Sequence, residues 1–125
     1  MSKSKTPKPT DAELGILNVL WRRGASTVKQ VHEVMGERTG YTTILKLLQI
    51  MTEKELVIRN EDQRAHVYQA KYSVTETQQQ LLHGLVQKAF NGSASQLVLQ
   101  ALSSQRATPK ELAEIKKLIE KLSRD

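Results

Sequence analysis

The hydrophobic period of this 125-residue chain changes abruptly at Leu56, and that change limits the folds open to it. Upstream, apolar residues recur every three or four positions, as one buried helix face requires. Downstream, Val57-Ile58-Arg59 and His66-Val67-Tyr68-Gln69-Ala70 predict two short strands around the polar run Asn60 to Arg64. A helix pattern and a strand pattern cannot serve the same segment, because side chains share a face at different spacings in the two. A hairpin therefore follows directly on a group of helices.

Those helices are short and sharply bounded. Thr10 with Glu13 forms a capping-box pair, and Leu14, Leu17 and Trp21 follow at helical spacing, with Ile16, Val19 and Leu20 widening the apolar face. Gly24 supplies the stop. We expect Trp21 to pack in the core. Thr27 with Gln30 repeats the cap and opens a second helix, for which Val28, Val31, Val34 and Met35 are the expected inner stripe. A linker through Thr39-Gly40 leads to a third helix, about Thr42 to Glu55. Two short amphipathic helices and a longer third outline a helix-turn-helix, and a hairpin placed straight after it is a wing.

The third helix carries the candidate chemistry. Ile44, Leu47, Leu48 and Met51 form one apolar stripe, while Thr42, Lys46, Gln49 and Glu53 lie opposite. Hydroxyls and amides can pair with base edges or phosphates, and a lysine can reach guanine acceptors. The helix N-terminus adds free backbone donors for phosphate. In the wing, Arg59, Arg64 and His66 surround the tip, with Arg64 the leading candidate for a backbone contact, although Glu61 and Asp62 share the loop. The expected DNA-contacting set is Tyr41, Thr42, Thr43, Lys46, Gln49 and Arg64.

From Val74 onward the chain reads as three helices, roughly Thr75 to Phe90, Ser93 to Ser104, and Thr108-Pro109 to about Ser123, with Asn91-Gly92 breaking the first from the second. Leu81, Leu82, Leu85, Val86 and Phe90 line the first. Leu97, Val98, Leu99 and Leu102 crowd the next, and Leu112, Ile115, Ile119 and Leu122 stripe the last like a coiled-coil seam. Each buried leucine-sized side chain contributes about 1.5–3 kcal/mol, and a small winged core cannot cover all three stripes. Pairing with a second copy of the chain is the expected solution. The fold class expected is thus mostly α with a small β-hairpin wing: a disordered basic tail (1–9), a winged helix-turn-helix domain (10–73) and a helical dimerisation domain (74–125).

Composition narrows the functions. With no cysteine, disulfides and thiolate metal sites are excluded. His32, His66 and His83 fall on three different elements without ligand spacing, so neither a metal nor another cofactor is expected. No nucleophile elbow or Gly-rich phosphate loop occurs, and we expect no enzyme. The first ten residues lack the apolar core of a signal peptide and the apolar runs are too short for membrane insertion, so a cytoplasmic protein is expected. The net charge of +6 leans towards residues 1–73, which carry 12 Lys and Arg against 8 Asp and Glu. Such a balance suits a polyanionic partner. The alternative is a winged-helix protein-interaction module that never touches DNA, and Glu53, Glu61 and Asp62 near the presumed binding face are its support.

Taken together, PTDAELGILNVLWRRG, STVKQVHEVM, GYTTILKLLQIMTEKELV, AHVYQA and NGSASQLVLQAL resemble, in order and spacing, the BlaI/MecI/CopY family of bacterial penicillinase repressors, from about Pro9 to Leu122. The resemblance implies a homodimeric repressor whose recognition helices enter the major groove of a palindromic double-stranded operator and block transcription. By position it places Thr42, Thr43 and Lys46 at bases or adjacent phosphates. The chain departs from the family pattern at Leu45 and Ile50, where basic residues are frequent, at Lys46, where threonine is usual, and at Glu55, where glycine is common. In one branch a sensor or protease system controls release by cleaving an Asn-Phe bond; the aligned position here reads Gly84-Leu85. The copper-responsive branch needs cysteine ligands that this chain lacks.

Overall fold

The computed structural model describes residues 7–36 and 38–125. Tail residues 1–6, with Lys3 and Lys5, lie outside the described residues. Among the described residues, six helices and three short strands follow in the order α1 (Asp11–Arg23), β1 (Ser26–Thr27), α2 (Val28–Met35), α3 (Tyr41–Glu53), β2 (Val57–Asn60), β3 (Val67–Ala70), α4 (Val74–Ala89), α5 (Ala94–Ser104) and α6 (Pro109–Arg124).

Helix starts are set by side-chain caps. Reciprocal Thr10–Glu13, Thr27–Gln30 and Thr108–Glu111 pairs open α1, α2 and α6. Ser73 and Glu76 exchange the same two bonds, each 3.0 Å, at the start of α4. Ser93 Oγ accepts the Gln96 N–H to open α5. Each such cap satisfies donors that the first helical turn leaves orphaned. α3 differs: it starts at Gly40 with no side-chain cap.

The core of the first part is built from the inner stripes of α1, α2 and α3. Ile16, Leu17 and Leu20 of α1, Val28 and Val31 of α2, and Ile44, Leu48 and Met51 of α3 meet Leu56, just before β2, and Val57 and Tyr68 from the sheet. Trp21 packs on this core and donates from its indole nitrogen to the Tyr72 carbonyl at 2.9 Å, tying α1 to the chain beyond the wing. The expected inner stripe of α2 needs one correction. Val28 and Val31 are buried and Met35 packs against the core, but Val34 is 51% exposed. One residue of helix is about 100° of rotation, so with Val31 and Met35 aimed inward Val34 is carried off that face.

The sheet is antiparallel in the order β1-β3-β2. β2 and β3 pair Val57 with Ala70 and Asn60 with Val67, and Glu61 to His66 form the wing loop. The third strand, β1, was not expected: two residues, Ser26 and Thr27, pair with Tyr68 and Val67. A two-residue strand has no periodicity to detect, and Thr27 doubles as the α2 cap. Its presence makes β3 central and buries Tyr68.

The third helix ends earlier than expected, at Glu53, in a Schellman arrangement. Leu56 N–H donates to Met51 O at 2.9 Å and Glu55 N–H to Thr52 O at 3.1 Å. This places Glu55 at φ 64°, in the left-handed region that glycine adopts most easily.

The chain divides into two compact units, one ending at Leu81 and the other running from Leu82 to Asp125. In the second, Asn91 and Gly92, both at positive φ, terminate α4, and the Gly92 N–H is held by the Val86 carbonyl at 3.0 Å. α5 and α6 bury no residue fully.

Candidate nucleic-acid interface

α3 presents two opposite faces. Ile44, Leu48 and Met51 are fully buried, whereas Thr42, Lys46, Gln49 and Glu53 on the far side are all exposed. Tyr41 and Thr43, on the flanks of the first turn, are exposed too. Sequence spacing alone orders these residues, because burying one stripe of a helix forces its opposite into solvent.

The uncapped start matters here. The first main-chain bond of α3 is that of Ile44 N–H to Gly40 O, so the N–H groups of Tyr41, Thr42 and Thr43 have no intrahelical acceptor. They sit at the positive end of the helix dipole, where a phosphate oxygen is the favoured acceptor.

Between the first turns of α2 and α3 and the wing loop lies an open groove of about 390 Å³. Lys29 contributes from α2, Tyr41 and Leu45 from α3, and Arg64, Ala65 and His66 from the wing. Sequence reasoning placed Tyr41 and Arg64 at the site separately, and the fold brings them onto one groove. It missed Lys29 and Leu45, whose place depends on how α2 and the wing pack beside α3. Among the described residues, Lys29, Lys46 and Arg64 make no ion pair. The Tyr41 ring meets His32 of α2 edge to face, with centroids 5.9 Å apart at 78°, which steadies the start of α3 against α2.

The wing charges sort themselves differently from the sequence expectation. Arg59 is not a free cation at the tip: its guanidinium lies 2.7 Å from the Glu61 carboxylate. A hydrogen bond with the Tyr68 side chain, together with the Glu61 charge, raises its pKa further. This pair cancels one of the two acidic charges in the loop. Asp62 N–H donates to Asn60 Oδ1 at 2.8 Å and starts the turn that exposes Arg64.

The sequence profile described as "Penicillinase repressor" matches residues 9–121, nearly the whole chain. The chain belongs to the penicillinase repressor family. A relative in Mycobacterium tuberculosis, named transcriptional regulator BlaI, is 34% identical over 90 residues, covering 70% of this chain and 62% of the relative. The penicillinase repressor of Bacillus licheniformis is 21% identical over 118 residues, covering 93% of this chain and 92% of that protein. The chain thus spans under two thirds of the mycobacterial relative's length. Against the family pattern, Lys46 stands on the exposed face and Leu45 on the groove wall, while Glu55 occupies the left-handed residue of the α3 stop.

The second unit leaves its apolar residues uncovered. Leu82, Leu85, Val98, Leu99, Leu102, Leu112, Ile119 and Leu122 are each 39–62% exposed. Phe90, Leu97 and Ile115 are half-buried, as is Leu81 at the end of the first unit, and Val86 is already buried within the single chain. No helix is long and apolar enough to cross a membrane among the described residues.

Proposed function

We propose that this protein is a homodimeric, cytoplasmic transcriptional repressor that binds a palindromic DNA operator and blocks transcription by covering a promoter. The observation that carries the reading is the exposed Thr42, Lys46 and Gln49 stripe on a helix whose other face is anchored by Ile44, Leu48 and Met51. α3 enters the major groove, its uncapped N-terminus meets a phosphate, and Lys29 and Arg64 hold the backbone on either side of the groove. Membership of a family whose relatives are named as repressor and transcriptional regulator supports the same reading.

The exposed leucines of the second unit support self-association. With roughly half of their surface still in water, these eight large apolar side chains forfeit burial worth on the order of 1 kcal/mol each. A second copy supplies a matching surface, since a two-fold interface is self-complementary. The same two-fold axis then requires half-sites related by a dyad, spaced by about one helical turn or a multiple of it.

The test is selection of bound duplexes from a random library, followed by titration at several salt concentrations. A palindromic consensus and an affinity that falls steeply with salt are expected, because each neutralised phosphate releases counterions. Failure to enrich any sequence, or an affinity indifferent to salt, rejects DNA readout and favours a protein-docking role.

A further inference from the structure

One wall of the groove between α3 and the wing is apolar, whereas its rim is cationic. Leu45 is half-buried: it packs against the core, and it also lines the groove beside Tyr41, which is 48% exposed. The two stand at i and i+4 on α3, in line along the helix and one step round from Thr42, Lys46 and Gln49. Lys29 and Arg64 line the same groove. Cations placed there suit phosphates, and a duplex held by them would bring base edges up to the apolar wall.

A leucine has neither donor nor acceptor, so it cannot read a base edge by hydrogen bonding. Set against a cytosine amino group or a guanine acceptor it would leave that group unpaired, which is costly once water is excluded. The major groove offers one apolar feature, the C5-methyl of thymine. We propose that Leu45 is a specificity-determining residue that reads a thymine methyl in each half-site, on the side of α3 facing the wing, with the Tyr41 ring completing the contact. The inference rests on α3 being the major-groove helix, and it assigns a different task to each flank: hydrogen bonding to Lys46 and Gln49, shape and methyl contact to Leu45.

The experiment uses the full-length protein and the duplex recovered by selection. Each thymine is replaced in turn by deoxyuridine, which removes the methyl and leaves every hydrogen-bonding group in place. The wild type should lose about fourfold in affinity per half-site at one position, the value of one buried methyl-sized group. Leu45→Ala should bind the thymine and uracil duplexes equally well. A scan that is flat for the wild type overturns the inference without requiring any variant, and so does a Leu45→Ala protein that still discriminates. Leu45→Met, which keeps side-chain volume against the core, should retain part of the preference. If selection enriches no sequence, the DNA-binding reading itself fails; if it enriches one and the methyl scan is flat, only the role of Leu45 falls.

Discussion

Lys54 Nζ lies 2.7 Å from Oε1 of Glu13, joining the end of α3 to the first turn of α1 across 41 positions of sequence. The same carboxylate oxygen accepts the Thr10 N–H at 2.9 Å, so one buried atom caps α1 and anchors α3 together. Burial pushes the Glu13 carboxyl up, but the Lys54 hydrogen bond, the Thr10 backbone bond and the Lys54 charge outweigh it and hold the pKa below the ordinary 4.5. α3 is therefore braced at its C-terminal end by an ion pair.

Acid should release this brace. A carboxylate whose folded-state pKa is depressed stabilises the fold above its unfolded value and loses that contribution as the pH falls through the folded value. Thermal unfolding should show full stability above about pH 5 and a decline below the ordinary carboxylate pKa of 4.5. Glu13→Gln should cost about 1–3 kcal/mol at neutral pH, because Lys54 is left unpaired and partly buried, and should flatten the acid decline. A variant that keeps the full acid response would assign that response to other carboxylates.

Glu55 offers the opposite kind of change. It occupies a left-handed position at φ 64° with an exposed bond to Lys71 at 2.8 Å. Relief of the backbone conformation should outweigh a solvated ion pair. Glu55→Gly should raise the unfolding midpoint by a few degrees, and a fall in the midpoint would show that the Lys71 contact is the stronger of the two.

Lys46 and Arg64 should separate under titration. On the proposed reading Lys46→Ala removes an amine that contacts a base, and it should weaken the selected duplex about tenfold or more while leaving non-specific DNA little changed. Arg64→Ala should weaken both to a similar degree and lower the salt slope by about one. Equal behaviour of the two variants would contradict the separate roles proposed for them, base contact for Lys46 and backbone contact for Arg64.

Self-association should reside in the second unit. Sedimentation of the full chain should give twice its 14.1 kDa mass. Replacing Leu99 and Ile119 together by glutamate should give folded monomers with weak operator binding, since both are more than half exposed in the single chain. A monomeric wild type would remove the palindrome from the proposal.

Much of the molecule is readable from local chemistry. The capping pairs at Thr10, Thr27 and Thr108, the stripe Ile44, Leu48 and Met51, and the change of period at Leu56 are short-range patterns that can be recognised without knowing which distant residues they meet. They determine where helices begin, which face of α3 turns inward and that a wing follows. Tertiary packing decided the rest. Ser26 and Thr27 become a strand only because Tyr68 and Val67 are brought beside them, and Val34 is left in water because α2 rotates to seat Met35. The Arg59 charge is paired with Glu61, Lys54 finds Glu13, and Lys29, Leu45 and Arg64 converge on one groove. The new strand, the Lys54–Glu13 pair and the groove each join residues far apart in the chain, and only the burial of the shared core supplies the free energy that brings them together.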